Sequence, residues 1–339
     1  MDSTPPNPTT AIAVDFPAYV EQRRQGLAQH MVDGVPDYSF SLDNRLRREL
    51  ASLAPVRHLA RFLVRAREPF FQQLNMMDTI AVGPNQLPEI YKLARHCSRV
   101  LGIGVPQIFV SPEIGFNAYT FACDDVRPSI VLTSGLVRIM DEQELLAVIG
   151  HESGHIHNLH SAYNTLVELM SRGGLGALLT GGSLLGLPIQ LVQGIAGLGL
   201  SLFMQRWSRC AEITSDRAGA ICAGSSAAMV RALVKLQTHD GTLLNGVDID
   251  AYVSQLEVVK QSMTRVIELD RTHPLTQKRI EALRLFHYSE GWLAWHPDKR
   301  TDGPVRSRQE VDSACEALVQ VLGKGRSYTE GEQDYGIRG

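Results

Sequence analysis

The chain has 339 residues, 44% of them hydrophobic and 20% charged, which is typical of a globular protein and too apolar for intrinsic disorder. Its 33 basic and 36 acidic residues give a formal net charge of −3, so no global basic field favours nucleic acid as a partner. Five scattered cysteines without a C-x-x-C pair argue against a disulfide framework and against a thiolate zinc site. The N-terminus carries an acid where a signal peptide needs basic residues, and no apolar run follows it, so we expect a cytoplasmic protein.

The first part of the chain predicts helices followed by a small sheet. Residues 1–37 are rich in Pro, Thr and Asp and are expected to form a flexible N-terminal extension. Apolar residues at three- and four-residue spacing predict helices over 42–80 and over 87–101. Three short β-rich runs separated by turn residues then predict a sheet over 105–135.

A helix predicted over 141–172 carries the strongest chemical signal, a His-Glu-x-x-His motif. An acidic capping box at its start and the apolar residues that follow indicate a buried helix. His151 and His155 lie one turn apart, about 40° around the axis, so both imidazoles can reach one tetrahedral Zn²⁺. Glu152 lies beside that ion, where a carboxylate can serve as general base and acid in hydrolysis. Two core-facing histidines and an exposed acid are the alternative interpretation.

A catalytic zinc site needs a third protein ligand and an open fourth position. On a continuous helix His157 and His160 point away from the face that carries the two motif histidines. The extended zinc motif would need Gly and His where this chain has Asn158 and Ser161. We therefore expect His157 and His160 to be polar residues on the helix face.

Residues 173–205 form an uncharged, apolar segment between Arg172 and Arg206. Candidate zinc ligands lie both before and after this segment in the sequence, and they must come together in space. If the segment entered a membrane, the chain would therefore have to cross it an even number of times. Two crossings would leave legs of about 15–17 residues, which are short for a hydrocarbon core of about 30 Å. We expect a buried, lid-like apolar hairpin, with membrane-surface or membrane-inserted contact as the alternative.

A helix predicted over 206–223 offers the better third ligand, Glu212. Asp216 follows one turn later on the same face and could accept the other ring N–H of a ligand histidine. An amphipathic helix with both acids solvated beside Arg209 and Arg217 is the alternative. Spacing alone leaves both interpretations open.

The elements together predict an α+β fold that is mostly helical. A single catalytic domain over 38–290 would contain the small sheet, of three strands or larger and antiparallel or mixed, and the active-site helix. Residues 291–339 are expected to form a C-terminal helix and tail.

Short motifs in a fixed order extend over about Leu87 to Leu285. They are Asn117-Ala118-Tyr119, the strand from Ile130 to Leu136, the helix from Glu144 to His155, Trp207-Ser208-Arg209 with Glu212, Asp216-Arg217-Ala218, and His273-Pro274 with Arg279 and Leu283. In these motifs the chain resembles the HtpX and CAAX-prenyl-protease (Ste24-type) family of gluzincin zinc metallopeptidases, in particular its soluble bacterial-type members. The resemblance implies a zincin-like domain.

The resemblance also implies roles for single residues. One zinc ion per chain would be held by His151, His155 and Glu212, with Glu152 as the catalytic acid and base. Asp216 would bind a ligand histidine from outside the coordination sphere.

Two further residues would lie near the metal. By matching motif these are Asn117 and His273, which would help to hold the tetrahedral oxyanion. A turn residue before a strand is the alternative for Asn117, and a helix-cap or loop residue before Pro274 is the alternative for His273. Membrane-bound relatives carry clear spans before the zinc helix and this chain does not, so a prenylated or membrane-bound substrate is not implied.

The expected function is zinc-dependent endopeptidase activity on a peptide or protein substrate. The substrate backbone would pair with an exposed strand, most readily 117–122, and no recognisable group would bind a free terminus. The alternatives are a latent or inactive binding or chaperone-like protein, a zinc amidase that acts on a non-peptide substrate, and a structural zinc site closed by His157 or His160.

Overall fold

The computed structural model describes residues 30–32, 34–123, 126–171, 198–260 and 275–320. The helices are α1 (Ser41–Ser52), α2 (Ala54–Asp78), α3 (Pro88–Leu101), α4 (Ser134–Ile139), α5 (Glu142–His157), α6 (Ser161–Ser171), α7 (Leu198–Ala223), α8 (Ser226–Thr238), α9 (Ile249–Lys260), α10 (Thr276–His287), α11 (Glu290–Trp295) and α12 (Arg308–Val319), with a 3-10 helix at Leu243–Gly246. The strands are β1 (Met31–Val32), β2 (Val35–Pro36), β3 (Ile80–Val82), β4 (Gln107–Ser111), β5 (Ala118–Cys123) and β6 (Val126–Thr133).

The main sheet has four strands in the order β3-β4-β6-β5. β4 and β6 run parallel, while β3 and β5 are antiparallel to their neighbours, so the sheet is mixed. The prediction of a mostly helical α+β fold with a small mixed sheet is confirmed. Strand β3 was not predicted because residues 80–82 directly follow a long helix, and the predicted helix extended through residue 80.

Two predicted helix boundaries differ from the structure. The helix expected over 141–172 is two helices, because α5 ends at His157 and Leu159 adopts a left-handed backbone with φ of 60°. The helix expected from 206 begins at Leu198, inside the predicted apolar segment. The rest of that segment, residues 173–197, lies outside the described residues, so the lid-like hairpin stays a prediction.

Two apolar cores share α7, the first at its C-terminal part and the second at its N-terminal part. The first joins α7 to the sheet, α3, α5 and α8, and the second joins it to α1, α2, α6 and α12. Ile221 belongs to the first core, and the fully buried Trp207 belongs to the second. Helix α7 is therefore packed against the two cores along much of its length. Within the described residues, no helix has the length and hydrophobicity that a membrane span requires.

Small residues let α5 and α7 approach each other closely. A Cβ added at Gly154 would lie 2.7 Å from Cβ of Ala218, and one added at Gly150 would lie 2.6 Å from Cβ of Cys222. Real Cβ atoms do not approach this closely, so larger side chains at either glycine would separate the helices. The contact fixes the distance between the His-Glu-x-x-His motif and the acids of α7.

Candidate active site

Helix α5 holds the motif in a fixed register because its N-terminus is firmly capped. Asp141 Oδ1 accepts a hydrogen bond from the backbone N–H of Glu144 at 2.8 Å, and Glu144 Oε2 accepts one from the backbone N–H of Asp141 at 2.9 Å. The predicted capping box is confirmed. From α8, Lys235 donates to Glu144 at 2.6 Å and Arg231 donates to it at 3.1 Å.

Three of the predicted site residues converge on one point. The Nε2 atoms of His151 and His155 are 3.2 Å apart. From α7, Glu212 places Oε1 3.4 Å from Nε2 of His155 and Oε2 3.7 Å from Nε2 of His151. The exposed fractions of the three residues are only 7%, 5% and 3%. The structure thus forms a buried cluster of two imidazoles and one carboxylate.

The cluster fits a metal ion. One ligand atom from each residue lies within 4.8 Å of the other two. Ligand atoms about 2.0–2.2 Å from a tetrahedral ion are about 3.3–3.6 Å apart, which is close to the spacing of these side chains. Nδ1 of His151 faces a carboxylate and must carry that ring's proton, so its Nε2 presents a lone pair to the cluster. A cation at this point removes the repulsion between converging lone pairs.

Asp216 and Arg279 hold the cluster from outside. His151 Nδ1 donates to Asp216 Oδ1 at 2.9 Å, which agrees with one of the two interpretations that the spacing of the acids left open. Arg279 binds Asp216 with two hydrogen bonds, of 2.8 and 2.6 Å, and lies 3.1 Å from Oε2 of Glu212. Burial alone would raise the pKa of Asp216, but Arg279 and the hydrogen bond from His151 lower it below its ordinary value. Asp216 is therefore an ionised acceptor, which fixes the tautomer of His151.

Glu152 lies beside the cluster and is held by the sheet. The hydroxyl of Thr120, on β5, donates to Glu152 Oε2 at 2.5 Å. Glu152 is 6% exposed, and it stands next to His151 in the same helix. Its carboxylate is thus buried and oriented without belonging to the three-residue cluster.

Within the described residues His157 and His160 lie outside the cluster that could hold a metal, as expected, but they do not lie on one continuous helix. Both are buried, with exposed fractions of 1% and 0%. Because α5 ends at His157, the left-handed Leu159 turns the chain back, and Nδ1 of His160 comes to lie 3.0 Å from Nδ1 of His155. His157 instead places Nδ1 3.0 Å from the hydroxyl of Tyr38. Neither residue belongs to the cluster that could hold a metal, which removes the support for a structural site closed by one of them.

Sequence reasoning also missed Asp43. It lies on α1 and is fully buried, and its Oδ2 is 2.9 Å from Nε2 of His160. Asn158, a residue type that often ends helices, was the local signal for the turn that folds His160 back. No local signal links Asp43 to the motif, because the two are brought together only by the packing of α1.

The roles of the two predicted oxyanion residues both stay predictions. Asn117 is exposed directly before β5, where its backbone N–H donates to the hydroxyl of Thr133 at 3.0 Å and its carbonyl accepts from the backbone N–H of Thr133 at 3.0 Å. These contacts fix its backbone and leave its role a prediction. His273 lies outside the described residues, and its role is also still a prediction.

A family model matches most of this domain. The model described as Peptidase family M48 matches residues 84–286. That range contains the three-residue cluster, Glu152 and Asp216, whereas Asp43 lies before it.

Curated relatives match a similar part of the chain. Plastoglobule-localized metallopeptidase 48, chloroplastic, from Arabidopsis thaliana is 29% identical over 181 residues, which are 53% of this chain and 49% of that protein. A Protease HtpX homolog from Desulfatibacillum aliphaticivorans is 27% identical, over 62% of this chain and 72% of the relative. One from Pyrococcus furiosus is 26% identical, over 60% and 75%. The chain thus spans about half the length of the Arabidopsis protein.

Among solved structures, the crystal structure of S. mikatae Ste24p matches with a TM-score of 0.43 and 18% identity. The match covers 71% of this chain and 60% of that one.

Proposed function

We propose that this metalloprotease, which belongs to peptidase family M48, is a zinc-dependent endopeptidase whose ion is held by His151, His155 and Glu212. The observation that carries the proposal is their convergence beside the buried carboxylate of Glu152. Two imidazoles and one carboxylate, with the fourth position left for water or substrate, are a donor set that catalytic zinc takes in hydrolases.

The roles of the surrounding residues follow from their contacts. When bound, the ion supplies Lewis acidity, which polarises a scissile carbonyl and acidifies a water molecule. Glu152 takes the proton of the attacking water on its carboxylate and delivers it to the leaving amine nitrogen. The hydroxyl of Thr120 donates a hydrogen bond to Oε2 of Glu152. We therefore assign proton transfer to the other carboxylate oxygen, Oε1. Asp216 keeps the proton of His151 on Nδ1.

The sheet supplies a surface for an extended substrate. β5 is the outermost strand next to β6, and it carries Thr120, which binds the catalytic carboxylate. A peptide that adds to this edge as a further strand would place its backbone beside Glu152. Such pairing does not depend on a free terminus, which favours cleavage within the chain. We assign Asn117, at the start of this strand, and His273 to the oxyanion.

The proposals about partners and cellular location are based on the sequence alone. The substrates are peptides or proteins, and nucleic acid is not among the proposed partners. A cytoplasmic location, and contact of residues 173–205 with a membrane surface, stay predictions.

Two variants test the proposal by separating the base from a ligand. Glu152→Gln should keep about one zinc ion per chain and lose cleavage of a diverse peptide mixture followed by mass spectrometry. Glu212→Gln should lose most of its zinc as well as cleavage. Wild-type cleavage by Glu152→Gln would contradict the assigned base. Zinc binding without cleavage by the wild type would favour a latent or binding role, or a non-peptide amide as substrate.

A further inference from the structure

His155, the second histidine of the motif, ends a buried chain of three side chains. Its Nδ1 lies 3.0 Å from Nδ1 of His160, and Nε2 of His160 lies 2.9 Å from Oδ2 of Asp43. The exposed fractions of the three residues are 5%, 0% and 0%. Water therefore has little access to these contacts, and the direction of each hydrogen bond is set by the groups themselves.

The carboxylate of Asp43, at the other end of the chain, determines which imidazole nitrogens carry protons. An ionised carboxylate only accepts hydrogen bonds, so Nε2 of His160 carries a proton and donates it to Asp43. Nδ1 of a neutral His160 is then an acceptor, and Nδ1 of His155 must be the donor. Nε2 of His155 is left with a lone pair that points into the three-residue cluster. The opposite arrangement would place a proton on Nε2 of His155, where it would block a metal ion.

Asp43 is itself held by the helix that carries Glu212. Trp207 Nε1 donates to Asp43 Oδ1 at 3.0 Å, and the hydroxyl of Thr214 donates to Asp43 Oδ2 at 2.6 Å. Both donors lie on α7. With His160, three donors hold the carboxylate in position, which makes it a rigid end point for the chain.

We propose that Asp43 and His160 are positioning residues that fix the tautomer and ring orientation of His155, and that α1 thereby completes the metal centre. Each ligand histidine then has its own carboxylate, Asp216 directly for His151 and Asp43 through His160 for His155. The inference rests on the proposed metal site. It extends that site to a residue before the range that the M48 model matches. It also gives His160, which the sequence predicted as a polar residue of the helix face, a contact with the far side of a ligand histidine.

Asp43→Asn is the sharpest test because it keeps the shape of the side chain. The new amide can donate to His160, which allows the two imidazole protons to move so that Nε2 of His155 carries one. We expect the dissociation constant for zinc, measured on the full chain by competition with a chromophoric chelator, to rise about 10-fold or more. The d–d absorption spectrum of the Co²⁺-loaded protein should also change.

Substitutions of His160 separate positioning from packing. His160→Leu removes both hydrogen bonds and should weaken zinc binding about 10- to 100-fold. His160→Gln offers one acceptor and one donor in the same place and should restore part of the loss. The matched control is His157→Gln, since His157 is also buried near the end of α5 but contacts Tyr38. It should leave zinc affinity and the Co²⁺ spectrum within about 2-fold of the wild type.

The outcomes distinguish this proposal from the proposed function. If Glu212→Gln loses zinc while Asp43→Asn and His160→Leu bind it like the wild type, the positioning role is wrong and the metal site stands. If Glu212→Gln also keeps its affinity, the metal site itself is wrong. Equal losses in the His157 control would mean that general packing, and not the hydrogen-bonded chain, supports binding. Should His160→Leu fail to fold, Asp43→Asn and His160→Gln decide the question.

Discussion

The hydroxyl of Thr120 donates to Oε2 of Glu152 across 2.5 Å, which ties the edge strand of the sheet to the carboxylate of the motif helix. The same hydroxyl also lies 3.2 Å from the backbone oxygen of Glu152. One side chain therefore links the surface proposed for the substrate to the group proposed for proton transfer. Thr120→Val removes the hydroxyl and keeps the shape of the side chain. A hydrogen bond to a charged group contributes about 1.5–3 kcal/mol, so we expect kcat to fall about 10-fold or more while zinc content stays at the wild-type level.

Thr120→Ser is the matched control for this change, because it restores the hydroxyl. It should return most of the activity in the same peptide assay. Wild-type kcat in Thr120→Val, or loss of zinc from it, would show that the hydroxyl does not act by orienting Glu152.

Gly154→Ala should push α5 and α7 apart. The added Cβ would lie 2.7 Å from Cβ of Ala218 and 3.1 Å from Cα of Ser215, so backbone has to move. We expect a loss of about 1–3 kcal/mol in the free energy of unfolding, together with weaker zinc binding, because Glu212 moves away with α7. Chemical denaturation and zinc titration measure the two effects.

Gly199→Ala serves as the control on α7. A Cβ at this position meets nothing within 4 Å among the described residues, so the change should be neutral or slightly stabilising. Unchanged zinc affinity in Gly154→Ala would contradict the idea that close helix packing sets the geometry of the cluster.

Arg279→Gln tests whether the positive charge of Arg279 compensates the buried carboxylates of the site. The guanidinium lies against two buried carboxylates, Asp216 and Glu212, and these neighbours raise its pKa although burial opposes this. Removing one partner of a buried ion pair costs about 3–5 kcal/mol of unfolding free energy. We expect the loss to be larger in the presence of a chelator than with zinc, since the bound ion offsets part of the uncompensated negative charge.

Arg284→Gln is a control on the same helix. Arg284 pairs with the exposed Asp250, and exposed pairs contribute about 0–1 kcal/mol. A loss in Arg279→Gln that is small or independent of zinc would mean that the two carboxylates are not the partners that determine its effect.

The burial of His160 should make the unfolding free energy depend on pH. Burial lowers the pKa of His160 below its ordinary value, although Asp43 opposes the shift. A histidine kept neutral by folding takes up a proton on unfolding, so its contribution is lost as the pH falls below about 6.5. Through this residue the metal-free wild type should lose up to about 1.4 kcal/mol per pH unit, and His160→Gln should lack this component.

The quantity to measure is the difference in unfolding free energy between the metal-free wild type and His160→Gln, obtained by denaturation between about pH 5 and 7. The pKa of metal-free His151 is raised, so that residue acts with the opposite sign and partly hides the effect in either protein alone. Identical pH dependence in both proteins would show that folding does not hold His160 neutral.

The parts of the site that were predictable from the sequence depend on local geometry. His151, Glu152 and His155 follow from helical spacing, and the capping box at Asp141 fixes where that helix begins. Glu212 could not be decided by spacing, because its approach depends on how α5 and α7 pack. The resemblance of the motif order to a known family was what implied Glu212 as the third ligand.

The error at His160 has a physical cause in the backbone. Extending α5 as a continuous helix puts His160 on the wrong side, whereas one left-handed residue, Leu159, reverses the chain. Bulky apolar residues rarely adopt this conformation, so the local signal for the turn is the preceding Asn158 and not Leu159 itself. The role of Asp43 depends entirely on tertiary packing, since over a hundred residues separate it from His160 in the sequence.

Cleavage of peptides blocked at both ends tests the central claim most directly. The zinc-loaded wild type should cut within acetylated and amidated peptides, stop when a chelator removes the ion, and resume when zinc is restored. Glu152→Gln, carrying the same amount of zinc, should produce none of these cuts. A wild-type protein that holds one zinc ion per chain and leaves every blocked peptide intact would contradict the account.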